Sequence, residues 1–100
     1  IFYIIFYQKD FKVDIEKKLS ALSNWTKIRE SSSIQRKIKF KDFKEAWNFM
    51  NLVAEKAEEL DHHPEWLNVY NRVEIILSTH DQGGITNLDI ELAKFIDSIS

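Results

Sequence analysis

His62, His63 and His80 are the only histidines among the 100 residues. The first two are adjacent in Asp61-His62-His63-Pro64-Glu65-Trp66, and the third follows seventeen positions after His63 in Thr79-His80-Asp81. A free imidazole titrates at about pH 6.5, so it can take up or release a proton under working conditions, as general acid–base catalysis requires. Glu58, Asp61 and Asp81 lie close by in sequence. A carboxylate beside an imidazole favours its charged form and can fix its tautomer, which separates an acid role from a base role. A helix C-terminus would account for His62 alone, because its dipole and last carbonyls favour an imidazolium. It would not account for His63 and His80, nor for Trp66 and Ser78-Thr79 beside them. A three-histidine zinc centre is the competing arrangement. Adjacent residues rarely point the same way, and the spacing is not that of two histidines four apart on a helix, so no metal is expected.

The elements that position these residues are legible from periodicity. Asp14 to Ser23 places Ile15, Leu19 and Leu22 on one helical face, with Asp14 as a candidate N-cap. Trp25 to Arg29 and Ile34 to Phe40 read as strands joined through the polar cluster Glu30-Ser31-Ser32-Ser33. Ile34, Ile38 and Phe40 share one face of the second strand, and Gln35, Lys37, Lys39 and Lys41 share the other, so strand alternation explains the lysines as the solvent side of a half-buried sheet. Asp42 and Glu45 form a helix-start pattern ahead of a long central helix. Its expected apolar positions are Phe43, Ala46, Trp47, Met50, Val53, Ala54, Ala57 and Leu60. Pro64 forbids the helix to continue and pushes His63 toward extended backbone, so the histidine pair sits on the helix exit.

Leu67 to Thr79 is rich in Val, Ile and Tyr and reads as one kinked strand or two short ones broken near Asn71. Gly83-Gly84 makes a turn, and Thr86 with Asp89 three residues later caps a last helix whose expected apolar face is Leu88, Leu92, Phe95, Ile96 and Ile99. The order predicts an α+β fold, a four-stranded antiparallel sheet with about three helices packed on one face. It is organised as an N-terminal extension over residues 1–13 and a single domain over 14–100.

The spaced series Glu58, His62-His63-Pro64, Trp66, Val69-Tyr70-Asn71, Ser78-Thr79-His80, Gly83-Gly84-Ile85-Thr86 and Asp89 resembles the pterin-4a-carbinolamine dehydratase family. The likeness begins near Leu19-x-x-Leu22-x-x-Trp25, strengthens at Phe40-Lys41-Asp42-Phe43 and covers about four fifths of the chain. Leu88 stands where many animal relatives carry arginine, and the Gly83-Gly84-Ile85-Thr86 turn is similar to the microbial pattern of the family. The resemblance implies dehydration of a 4a-hydroxytetrahydropterin, with a pterin as substrate and with neither cofactor nor metal. It implies His62, His63 and His80 as catalytic residues and Asp61, Trp66, Ser78 and Thr79 as the substrate contacts, with Glu58 and Asp89 in support. It also implies a homodimer or homotetramer, formed through the central helix and a sheet edge, for which an exposed Trp47 and Met50 would be suited. A transcription-factor partner bound by the same helix is the alternative function.

A net charge of −2 argues against a surface that holds nucleic-acid phosphates. No cysteine is present, which removes disulfides and thiolate chemistry. The apolar run Ile1 to Tyr7 is seven residues, against the roughly twenty needed to span a bilayer. No membrane partner is expected, and the expected location is the cytoplasm, with the nucleus added if the partner role holds.

Overall fold

The computed structural model describes residues 14–100, so the N-terminal extension at 1–13 lies outside the described residues. The elements are helix α1 (14–20), strands β1 (Thr26–Ile28) and β2 (Ser33–Lys39), helix α2 (Phe43–Leu60), strands β3 (Glu65–Val69) and β4 (Arg72–Leu77), and helix α3 (Asn87–Ile99). The sheet order is β1-β2-β4-β3, and every pairing is antiparallel. Among the described residues the fold is therefore α+β, with three α-helices and one four-stranded sheet, as the sequence predicts. Asp14 is already helical and is not a cap, and α1 closes at residue 20 instead of reaching Ser23.

Strand alternation sorts the sheet into two faces. Ile34 and Ile38 lie beside Leu77 and Val73, with Ile75 and Trp66 in the same layer, and this face carries the helices. From α2 the core takes Ala46, Phe49, Val53 and Ala57, and from α3 it takes Ile90, Leu92, Ala93 and Ile96. The Phe40 and Phe49 rings meet at 4.8 Å between centroids, tilted by 41°. The buried stripe of α2 thus differs from the expected one. Phe49 is inside, whereas Phe43, Trp47 and Ala54 are exposed and Met50 packs partly on the core. The steps 46, 49, 53, 57 keep one helical face, and the aromatic rings at 43 and 47 fall on its flank, where they stack on each other. Leu88 is likewise exposed at the start of α3, and Asp89 is buried in its place.

Arg36 occupies a helix-side position between Ile34 and Ile38 and is neutralised there by Asp97 at 2.6 Å. The same Asp97 oxygen accepts the Trp25 indole N–H at 2.9 Å, joining the residue ahead of β1 to β2 and the end of α3. Both members of the ion pair are largely withdrawn from water, so truncating one leaves the other poorly solvated. Asp97→Ala is expected to cost about 2–3 kcal/mol in urea unfolding. Lys27→Ala, which removes an exposed pair with Glu16, should cost at most about 0.5 kcal/mol by the same measurement.

Candidate active site at the exit of the central helix

Helix α2 is fixed at its start by Asp42, whose side chain accepts the Glu45 N–H at 2.9 Å. It ends at Leu60 because Asp61 turns left-handed, at φ 49° and ψ 44°. Aspartate tolerates this conformation better than most side chains. The His62 N–H then bonds back to the Ala57 carbonyl at 3.0 Å, closing the C-terminus and leaving residues 62–64 to cross toward β3. The register of β3 against β4 sets Glu65 opposite Ile76, so the helix exit runs alongside the end of β4. Ser78 and Thr79 follow there, and His80 opens a short 3-10 turn over His80–Gln82. That turn closes at Gly83, where φ is 75°, and Thr79 and Gly84 exchange two backbone hydrogen bonds. The break that the sequence leaves open near Asn71 is real: β3 and β4 are two strands, with Tyr70 left-handed at φ 52° between them.

His62 and Asp89 meet at the centre of this constellation. His62 Nε2 lies 2.6 Å from Asp89 Oδ1, and Asp89 is 0% exposed. Asp89 also accepts the Thr79 hydroxyl at 2.7 Å and the Thr86 backbone N–H at 2.9 Å. Thr79 and Thr86 hydroxyls are 2.8 Å apart. Asp89 thus closes the capping box of α3 and fixes a catalytic candidate with one carboxylate. An ionised carboxylate can only accept, so the His62 hydrogen resides on Nε2. In the neutral ring Nδ1 is then the nitrogen with a free lone pair.

His63 is exposed, and its Nε2 lies 2.8 Å from Glu58 Oε2. His80 is exposed, with Nε2 3.4 Å from the Ser78 hydroxyl, a long contact that leaves its ring free to turn. The structure therefore gathers His62, Thr79 and Asp89 into one bonded group, and His63 with Glu58 and His80 with Ser78 into two pairs. Asp61 is exposed at the helix exit, and Trp66 is half-buried on the helix side of β3, packed against the core. Thr79 presents its hydroxyl to Asp89 and Thr86. Among the described residues, no three histidine, aspartate or glutamate side chains converge as metal ligands.

Arg29 and Glu65 form a contact that the local sequence does not announce. The β1–β2 turn carries three successive left-handed residues, Arg29, Glu30 and Ser31, with φ between 52° and 70°. Arg29 makes a two-pronged contact with Glu65, at 3.0 and 2.7 Å. The hydrogen bonds from Arg29 hold the Glu65 carboxyl below its ordinary value of 4.5; partial desolvation opposes this, and attraction to Arg29 and His80 adds to it. The reciprocal bond from Glu65 raises the Arg29 guanidinium. A lowered carboxylate contributes stability that is present above pH 4.5 and lost as pH falls below that value through the folded one. Arg29→Ala should therefore lower Tm slightly at neutral pH, leave the acid end nearly unchanged, and so flatten the acid limb of a plot of Tm against pH.

An α+β domain that brings paired imidazoles and carboxylates to one end of its sheet has the parts of a small acid–base lyase. Residues 11–99 match the family model for pterin 4 alpha carbinolamine dehydratase, and the chain belongs to that family of hydro-lyases. A relative from Burkholderia cenocepacia (strain HI2424), provisionally named as a pterin-4-alpha-carbinolamine dehydratase, is 58% identical over 80 residues, which cover 80% of this chain and 78% of the relative. A relative from Burkholderia vietnamiensis with the same provisional name is 55% identical over 82 residues, 82% of this chain and 80% of its own. The crystal structure of a transcriptional coactivator/pterin dehydratase from Brucella melitensis superposes with a TM-score of 0.80 at 47% identity, covering 85% of this chain and 90% of that one. A pterin dehydratase-like RuBisCO assembly factor of the alpha-carboxysome shares the fold, with a TM-score of 0.66 at 17% identity over 76% of this chain and 88% of its own.

Proposed function

We propose that this protein dehydrates 4a-hydroxytetrahydrobiopterin to quinonoid dihydrobiopterin and water, the step that returns pterin to use after an aromatic amino acid hydroxylase. The observation that carries the reading is His62 held on a buried Asp89 through Nε2. Water leaves only if the C4a–O bond breaks as the oxygen gains a proton and N5 loses one, so an acid and a base must face the ring together. His62 takes the N5 proton on Nδ1, the nitrogen its bond to Asp89 leaves open. His80 delivers the proton to the departing hydroxyl, and its loose contact with Ser78 lets the ring follow the leaving oxygen. His63, steadied by Glu58, assists either transfer. Asp61 and Ser78 hold the polar edge of the pterin, and Trp66 walls its flat face. Thr79 acts through Asp89 and not on the substrate. The reaction as written needs neither metal nor cofactor.

A second reading, a protein-binding role, draws on the exposed flank of α2. Phe43 and Trp47 stack there with centroids 5.9 Å apart, and Leu52 is exposed on the same helix. Apolar rings displayed together on one helix suit a helix-to-helix contact, either between copies in a dimer or tetramer or with a transcription-factor partner. The enzymatic reading goes with a cytoplasmic location, to which the partner role would add the nucleus. The deciding experiment is stopped-flow ultraviolet absorbance of enzymatically generated 4a-hydroxytetrahydrobiopterin. The expected result is decay much faster than the spontaneous rate, and decay at the spontaneous rate would overturn the enzymatic reading.

A further inference from the structure

The face of the sheet away from the helices carries a second feature, remote from the histidines. The β2–β4–β3 register sets Lys39 opposite Arg72 and Arg72 opposite Val69, and one pleat further along it sets Lys37 opposite Glu74 and Glu74 opposite Leu67. Lys37 and Glu74 pair at 3.4 Å. Lys39 and Arg72 are two cations set directly across neighbouring strands, an arrangement that opposes sheet formation, and neither has a carboxylate partner among the described residues. β1 pairs with β2 only over Ser33–Gln35, so Lys39 lies where β2 is an open edge, whereas Arg72 on β4 is paired on both sides and edge protection does not account for it. Beside them Leu67 and Val69 are 55% and 48% exposed. These six residues line an open depression of about 350 Å³. Four residue steps along the strands, about 13 Å, separate Lys39 and Arg72 from Gln35, Ile76 and Glu65 at the histidine end.

We propose that this depression docks an acidic segment of a partner protein, with carboxylates on Lys39 and Arg72 and aliphatic side chains on Leu67 and Val69. Charge selects among the occupants. Residues 1–13 of this chain carry Lys9 and Lys12 against Asp10, the wrong sign for a basic site. A second copy presenting the same face would oppose cation to cation. Nucleic acid is disfavoured by aliphatic instead of aromatic platforms and by the net charge of −2. An acidic peptide with leucine or valine between its carboxylates satisfies both halves of the surface.

The test is an NMR titration of the isotope-labelled protein with a short synthetic peptide alternating aspartate and glutamate with leucine and valine. The expected result is saturable shifts at the amides of Lys39, Leu67, Val69 and Arg72. Lys39→Glu should weaken binding at least tenfold and leave dehydration of the pterin carbinolamine unchanged. This variant replaces a cation pair by an ion pair with Arg72, so its folding is favoured. Absence of saturable shifts, shifts centred on another face, or equal affinity for Lys39→Glu would overturn the proposal. So would tighter binding of a mixed-sequence DNA duplex at the same amides, which would reassign the face to nucleic acid.

Discussion

His62→Ala is expected to lower kcat for pterin carbinolamine dehydration by about two to four orders of magnitude, the contribution of one positioned proton-transfer group. The size of the effect follows from the geometry. The ring is mostly buried, its Nε2 is committed to Asp89 at 2.6 Å, and neither of the other two histidines is held on a buried carboxylate. His63 is exposed and braced by a solvent-facing glutamate, so it has more freedom and replaces His62 poorly. Removal of the imidazole also leaves the buried Asp89 short of one donor, which lowers stability. His62→Gln supplies a side-chain amide donor toward Asp89 without a titrating nitrogen. It should recover much of the lost Tm and none of the lost kcat, a pattern that a structural role for His62 would not produce.

Asp89→Ala should have the largest effect on stability. The carboxylate is fully buried and accepts from His62, Thr79 and the Thr86 backbone, so truncation removes one half of the capping box of α3 and strands three donors at once. Loss of one member of a buried charged network costs about 3–5 kcal/mol. For a domain of this size that corresponds to a fall in Tm of at least about 12 °C. Asp89→Asn separates folding from catalysis. Its shape is retained, and its carbonyl can still accept from Thr79 and Thr86 while its amide donates toward His62. A donor facing Nε2 forces the imidazole hydrogen onto Nδ1, the nitrogen required as base. Thermal unfolding of Asp89→Asn should therefore lie close to wild type, whereas kcat should fall at least tenfold with little change in KM.

The parts of this account that could be read from the sequence are those encoded locally. The existence of α2, the Asp42 and Thr86 caps and the stop ahead of Pro64 are each set within a few residues, and each is found where the sequence places it. The inward face of α2 is less legible, because Phe43 and Trp47 satisfy the same apolar spacing as Ala46 and Phe49, and only the packing against α3 and β4 decides which side turns in. Arg36 was hidden for the opposite reason. Its charge reads as surface, yet Asp97, 61 positions away, lets it sit on the helix side of the sheet. Asp89 could be recognised as a cap, but its bond to His62 joins residues 27 apart in the chain and needs the tertiary fold. Arg29 and Glu65 are 36 positions apart and meet only because a left-handed turn carries the guanidinium toward β3.

The most direct measurement of the central claim is the decay of 4a-hydroxytetrahydrobiopterin in chelator-containing buffer, followed for wild type beside His62→Ala, His63→Ala and His80→Ala. The account predicts fast decay with wild type, unchanged by the chelator, and return to near the spontaneous rate for His62→Ala and His80→Ala. Full activity in all three variants would contradict it.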